Sequence, residues 1–274
     1  MESTETINYF ATNVSIIKEL FHILFFIIVG SVTVLTYLKA NKTILQPMKN
    51  EIFKKQLSEF TTIMDIFNGK SEIELREYFG LSDLIKANAF LMLDNYASLF
   101  FNMKIAREKR PYNINDCPSS LVTQDFIEKN FTLVDEHIID ETSEIRREPP
   151  DPMVKATLWK DYNHGDIKIP RKTSNSLKEL DKILKSPLLP KECIKYLVEI
   201  KNTVNNNIML VKDVLEEIAQ ELPEKYSNRD ALKKANITWI TNRYNHEFND
   251  LEETADKLTD YLREYLNADS LLDK

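Results

Sequence analysis

Residues 20–38 read LFHILFFIIVGSVTVLTYL, an apolar stretch without a formal charge. As a helix, these residues span roughly 28 Å, close to the ~30 Å hydrocarbon thickness of a bilayer. A buried core helix is the alternative, but core helices with such composition are usually shorter. A cleaved signal peptide is disfavoured because the preceding residues include Glu2 and Glu5 and no small-x-small cleavage motif follows. The stretch therefore predicts a single N-terminal transmembrane helix.

The charges on the two sides of this stretch differ in sign. Residues 1–19 carry Lys18 against glutamates, whereas residues 39–55 carry lysines against Glu51 alone. Basic residues stay on the cytoplasmic side of a membrane. We therefore expect residues 1–19 to form a short extracytoplasmic tail and everything after the span to be cytoplasmic, which makes this a single-pass protein of the cell membrane. The lysines are Lys39, Lys42, Lys49, Lys54 and Lys55.

The composition of the chain excludes several classes of protein. Only 4 glycines occur in 274 residues, and sheets and phosphate-binding loops both depend on glycine. The fold class predicted is therefore all-α. A net charge of −7 argues against a nucleic-acid partner. Cys117 and Cys193 lack metal-binding spacing and are interpreted as reduced thiols of a cytoplasmic region.

The segment that follows the span has apolar residues at helical spacing over residues 42–68. One interpretation is a basic amphipathic helix whose lysines contact anionic headgroups of the lipid bilayer. The other is an ordinary helix packed on the cytoplasmic region, with lysines that only set the topology. The lipid-surface candidates are Lys39, Lys42, Lys49, Lys54 and Lys55.

The middle of the chain contains a second strongly apolar stretch at residues 89–103. A helix that is apolar almost all round is normally central to a core. A second membrane element is the alternative, and it is opposed by Asp94, which would lie in the middle of the bilayer. Residues 121–141 predict a further helix.

Residues 144–172 lose helical periodicity and contain several prolines. They are interpreted either as a linker or as a loop held down by Trp159 and Tyr162. We predict a boundary here between a juxtamembrane and helical domain at 39–143 and a C-terminal domain at 173–274.

The C-terminal region carries apolar residues spaced 4-3-4-3-4 along one predicted helix and 3 or 4 apart along residues 237–265. This spacing predicts two long helices joined by a short turn, an antiparallel hairpin. Its seam is the candidate surface for a partner helix or for a second copy of the chain. The seam candidates are Val204, Ile208, Val211, Leu215, Ile218, Tyr244, Phe248 and Leu251.

Two short motifs resemble metal sites. His246 and Asp250 have the spacing of ligands on one helix face, but His246 lies on the opposite side from the Tyr244 seam and a third ligand is missing. Residues 161–166 resemble a calcium loop, with Lys172 at the position of the bidentate glutamate. We expect no metal and no cofactor, and we identify no catalytic motif and no small-molecule substrate.

Two functions agree with these features. The first is a membrane-anchored, non-enzymatic interaction protein, such as a tether, scaffold or sensor subunit, that binds a protein partner or itself through helices. The second is a membrane-perturbing effector or toxin of a bacterial antiviral defence system that acts by oligomerisation of its anchor. Leakage on overexpression would favour the effector, and recovery of a partner with harmless expression would favour the tether.

Overall fold

The computed structural model of the chain describes residues 2–40, 42–43, 46–103, 116–130 and 151–266. Helices dominate these residues, which confirms the predicted helical class with one apolar helix near the N-terminus. In chain order the elements are α1 Glu2–Ala40, α2 Gln46–Phe67, α3 Glu72–Tyr78, α4 Leu81–Phe101, β1 Ser119–Val122, α5 Gln124–Asn130, α6 Pro152–Lys160, β2 Asp166–Ile169, α7 Arg171–Leu184, α8 Lys191–Lys225, α9 Arg229–Lys233, α10 Thr238–Glu247 and α11 Glu252–Leu266.

Among the described helices, α1 alone is long and apolar enough to cross a membrane, judged by length and composition. The portion concerned is Ile16–Ala40, whose most apolar 18 residues have a mean hydropathy of 2.2. None of this stretch is buried inside the structure. A core helix of the same composition would be covered by other elements, because its apolar surface would otherwise face water.

The chain forms two compact units, Met1–Glu59 and Phe60–Lys274, called here the N-terminal unit and the helical unit. The boundary lies inside α2. The C-terminal part of α2 belongs to the helical unit, where Phe60, Ile63 and Phe67 are at most 1% exposed.

The centre of the helical unit is α4, which contacts α3, α6, α8, α10 and β2. Ala89, Met92 and Tyr96 are at most 1% exposed. A helix that is apolar on nearly all sides is normally central to a core, and α4 is covered on most of its surface, with Asn95 and Ser98 exposed. The structure therefore places the apolar stretch at 89–103 in the core of the helical unit.

The described part of the proline-containing stretch is attached to α8 by aromatic residues. Trp159 is 4% exposed, and its indole N–H donates to the Ala219 carbonyl at 2.8 Å. The ring of Tyr162 lies 4.6 Å from that of Trp159. Residues 151–172 are thus held down as a structured segment, and residues 144–150 lie outside the described part of the chain. Helices on both sides of this segment share one core, through the contact of α4 with α8.

A short antiparallel ribbon was not expected from the sequence. In it β1 pairs with β2, with Ser119 opposite Ile169 and Val122 opposite Asp166. The predicted helix over 121–141 is wrong at its start, because α5 begins only at Gln124, and residues 131–141 lie outside the described range. Each strand has only 4 residues, too few for an alternating pattern to outweigh a helical one.

The C-terminal region differs from the predicted hairpin in its return helix. The long helix α8 is present, with 35 residues. The helix predicted over 237–265 is divided into α10 and α11, because Phe248 has an extended backbone with ψ 137°. The physical cause is a set of hydrogen bonds from α3 and α8, described below.

Candidate membrane-contact site

The lysines singled out in the sequence all lie in the N-terminal unit and are exposed. Lys55 pairs with Glu51 at 3.5 Å, and both side chains are at least 67% exposed. Such an exposed pair contributes little, since water screens it. The lysine cations therefore stay accessible to an anionic ligand. They are Lys39, Lys42, Lys49, Lys54 and Lys55.

The first part of α2 also exposes large apolar side chains. Met48 is 53% exposed, Ile52 49%, Phe53 52% and Leu57 41%. On a helical wheel these four side chains cover about half of the helix circumference, and Lys49 lies between them. A lysine in such a position can extend its apolar stem along the surface and place its ammonium group among headgroups. Exposed apolar side chains with interspersed lysines are typical of a helix at a bilayer surface.

Polar groups inside α1 are bonded within the helix itself. The Ser31 hydroxyl donates to the Ile27 carbonyl and the Thr33 hydroxyl to the Val29 carbonyl, each at 2.8 Å. A bilayer interior offers no water to such groups, so partners inside the helix are what a membrane span requires.

The seam residues are buried inside the helical unit. They lie where α8 packs against α10 and α11, and each is at most 8% exposed. In this arrangement the seams face each other and are not open to a second chain. The residues are Val204, Ile208, Val211, Leu215, Ile218, Tyr244, Phe248 and Leu251.

The break between α10 and α11 is bonded to Asn207 of α8, which is fully buried. The Asn207 side chain donates to the Asn249 carbonyl at 2.8 Å and accepts from the Asn249 N–H at 2.9 Å. These bonds replace those that a continuous helix would make at Asn249. Asn207 is not among the residues predicted from the sequence. An asparagine one residue before the seam position Ile208 is nevertheless a recognisable signal, since buried asparagines set register in helix pairs.

The same break is bonded to α3 through Glu72 and Arg76. Glu72 accepts from the backbone N–H groups of Leu251 at 2.6 Å and Glu252 at 3.0 Å. Arg76 holds the Glu72 carboxylate at 3.0 Å and places its guanidinium 3.7 Å from the centroid of the Phe248 ring. No local sequence signal connects Glu72 with a partner 180 residues away.

A second buried polar cluster surrounds His164, which is 3% exposed. Its ring atom Nε2 lies 3.1 Å from Asn88 Oδ1, and Nδ1 lies 2.8 Å from the Tyr162 hydroxyl. The Asn88 amide nitrogen donates to the carbonyls of Leu84 and Lys168, which identifies Oδ1 as the acceptor. His164 therefore carries its proton on Nε2 and accepts from Tyr162 at Nδ1.

The protonation state of His164 follows from its surroundings. Burial lowers its pKa to about 4, so the ring is neutral at pH 7. The His164 backbone N–H donates to Glu216 at 2.8 Å, and burial raises the pKa of that carboxyl. Both ring nitrogens are engaged inside the core, so this cluster attaches the 162–168 segment to α4 and α8. A metal ligand or an acid–base catalyst would need a free ring nitrogen.

The motifs that resembled metal sites do not come together. His246 is exposed on α10, and the Asp250 carboxylate is 75% exposed and lies 3.6 Å from Arg76. Asp166 of the calcium-like loop pairs with Lys168 at 2.5 Å. In the part of the chain that the structure describes, no group of three His, Cys, Asp or Glu side chains is placed to hold a metal ion.

Comparison with known proteins found no matching family model, no similar curated protein and no similar solved structure.

Proposed function

We propose that this chain is a single-pass membrane protein that holds its helical unit at the cytoplasmic face of the cell membrane, where the unit binds a protein partner without catalysing a reaction. The observation that carries the proposal is that no residue of Ile16–Ala40 is buried, although its most apolar 18 residues have a mean hydropathy of 2.2. Water would solvate this surface at a high cost, and a lipid bilayer is the environment that matches its length and composition.

The proposed orientation depends on the lysines after the span. Lys39, Lys42 and Lys49 follow the apolar stretch, whereas the charged residues before it are mainly acidic. Under the positive-inside rule this asymmetry places the helical unit in the cytoplasm. The exposed apolar residues of α2 then lie where the chain leaves the membrane, so that the start of α2 lies against the headgroups.

The interaction role is favoured over the membrane-perturbing effector. The effector interpretation depended on the lysine-rich segment and on the apolar stretch at 89–103. The latter packs into the core of the helical unit, where Ala89 and Met92 are fully buried. The seam residues are buried inside the helical unit and are not accessible to another chain. We therefore propose that the partner contacts the outer surface of the helical unit.

Two measurements test the proposal on the full chain. After alkaline carbonate extraction, the protein should stay with the membrane pellet. A cysteine introduced by Ser3→Cys should react with an impermeant thiol reagent in intact cells, whereas Lys160→Cys should react only after lysis. The parent chain, with Cys117 and Cys193, provides the background. Release by carbonate would overturn the anchoring, and the reversed labelling pattern would overturn the orientation.

A further inference from the structure

The exposed face of α7 carries a stripe of positive charge in a unit that is otherwise rich in acidic residues. Arg171, Lys178, Lys182 and Lys185 are all exposed. They fall within an arc of roughly 60° on a helical wheel and extend over roughly 21 Å, with Lys185 at the C-cap position directly after α7. The opposite face of the helix is buried and anchors it to the unit, through Thr173, Ser176, Leu180 and Ile183. We call these four cations the basic stripe.

The basic stripe is not neutralised by the protein. Within the described residues, none of its four cations forms an ion pair, whereas several other cations of the helical unit do. Those pairs are Lys172–Glu77, Lys195–Glu192, Lys201–Asp181, Lys212–Asp125, Lys233–Asp230, Lys257–Glu253 and Arg263–Asp260. An uncompensated row of cations on one helix face repels itself, and an anionic surface relieves that repulsion.

The start of α7 adds an independent sign that the charge serves a partner. Arg171 and Lys172 occupy the first turn and no acidic residue lies there, although Lys172 pairs with Glu77 of α3, which leaves Arg171 as the unpaired cation of this turn. The N-terminus of a helix carries partial positive charge, so cations in this turn destabilise the helix and carboxylates would stabilise it. A local arrangement that costs stability is most often found where a surface has a function.

We propose that the basic stripe of α7 docks on anionic lipid headgroups of the membrane in which α1 is anchored. This inference rests on the proposed anchoring. The bilayer is the favoured partner because α1 keeps it within reach at high effective concentration and because cytoplasmic leaflets are anionic. The net charge of −7 disfavours a long nucleic acid, which would also meet the acidic faces of the unit. Docking through α7 would fix which outer face of the helical unit stays open to a protein partner.

The test uses the full chain in nanodiscs, either of phosphatidylcholine alone or of equal parts phosphatidylcholine and phosphatidylglycerol. Lysines are acetylated with an amine-reactive ester and quantified by mass spectrometry. In anionic discs we expect acetylation of Lys178, Lys182 and Lys185 to slow by about fivefold or more, because each cation near an anionic surface contributes about that factor. High salt should remove the protection. Lys160 and Lys234, exposed elsewhere in the unit, should react equally in both discs.

A pair of variants separates the stripe from general charge effects. Lys178→Gln with Lys182→Gln should abolish the protection of Lys185. The matched control, Lys160→Gln with Lys234→Gln, removes the same charge and should leave that protection intact.

Three results would overturn the docking. Equal acetylation in both discs is the first, and protection of Lys160 and Lys234 to the same extent as the stripe is the second. The third is binding of single-stranded RNA by the chain in neutral discs, lost in the Lys178→Gln and Lys182→Gln variant, which would assign the stripe to nucleic acid. These results are distinguishable from a failure of the proposed anchoring. Without an anchored α1, the chain would not remain in the nanodiscs after detergent removal.

Discussion

Glu72 and Glu252 cap each other's helices. The Glu252 carboxylate accepts from the Glu72 backbone N–H at 2.9 Å, and the Glu72 carboxylate accepts from the Glu252 N–H at 3.0 Å. Each carboxylate thereby satisfies a backbone donor at the start of the other helix and adds negative charge where the helix dipole favours it. This reciprocal cap joins α3 to α11 across most of the length of the helical unit's sequence.

Removal of the Glu72 side chain should destabilise the helical unit by about 2–3 kcal/mol. Glu72→Ala leaves the N–H groups of Leu251 and Glu252 without their acceptor and Arg76 without its partner at 3.0 Å. Urea unfolding of the full chain in detergent, followed by circular dichroism, measures the change. Glu253→Ala is the control, because Glu253 is 79% exposed and water screens its pair with Lys257, so this variant should have a clearly smaller effect. Equal effects of the two variants would exclude the cap as a stabilising contact.

Two glycines with the same backbone conformation should respond differently to alanine. Gly69 has φ +63° with open space around it, and Gly80 has φ +65° with Thr173 Oγ1 only 2.8 Å from the position of a Cβ atom. Gly69→Ala should cost about 1 kcal/mol, the strain of a left-handed residue. Gly80→Ala should cost roughly 2–4 kcal/mol, because α7 must also move. Thermal unfolding of both variants provides the comparison, and a larger loss for Gly69→Ala would contradict the packing at Gly80.

The buried imidazole predicts a pH-dependent stability. The pKa of His164 is lowered by burial from 6.5 to about 4. Between these values the unfolded chain binds the proton and the folded chain does not, so the stability conferred by neutral His164 is complete above about pH 6.5 and is lost as the pH falls towards 4. The loss amounts to about 3 kcal/mol.

The pH dependence is measured from urea midpoints at several pH values between about 7 and 4.5. His164→Gln removes the titrating group and should flatten the dependence, even though the variant is less stable at neutral pH. His246→Gln, at an exposed histidine, should leave the slope as in the parent. If the dependence of stability on pH were unchanged in the His164→Gln variant, groups other than His164 would be its cause.

The seam between α8 and its return helices should tolerate no charge. Leu215 is fully buried, so Leu215→Asp places an unpaired carboxylate in the core at a cost of several kcal/mol, a large part of a total stability of about 5–15 kcal/mol. The variant should lose most of its helical circular dichroism. His246→Ala changes an exposed side chain and should shift stability by no more than about 0.5 kcal/mol. If His246→Ala unfolded the protein and Leu215→Asp did not, the core would have to lie on the helix face that carries His246.

The juxtamembrane segment should distinguish anionic from neutral lipid. A peptide of residues 39–68 should bind anionic vesicles more tightly, by up to ~1 kcal/mol for each lysine at the surface, and should lose the difference in high salt. In a control peptide Lys49, Lys54 and Lys55 are replaced by glutamine, which keeps the apolar side chains and removes three of the five lysines. Equal binding of the native peptide to both lipids would leave the lysines as topology signals alone.

The amino-acid sequence by itself determined the helical class, the apolar N-terminal helix and the central position of the 89–103 stretch. Each depends on the composition or periodicity of neighbouring residues, and these are local properties. The spacing of Val204, Ile208 and Val211 likewise identified a buried face of α8, although it left open whether the partner of that face is a helix of this chain or of another.

The tertiary structure decided the features that join distant residues. The 3–4 spacing through Phe248 and Leu251 favours one continuous helix, yet the chain breaks there because Asn207 and Glu72 bond to the backbone of Asn249 and Leu251. Likewise, the strands β1 and β2 form because they pair with each other, and His164 is neutral because α4 and α8 bury it. Such interactions depend on side chains brought together by folding, so a pattern of neighbours cannot encode them, and a buried hydrogen bond can outweigh a local helical preference.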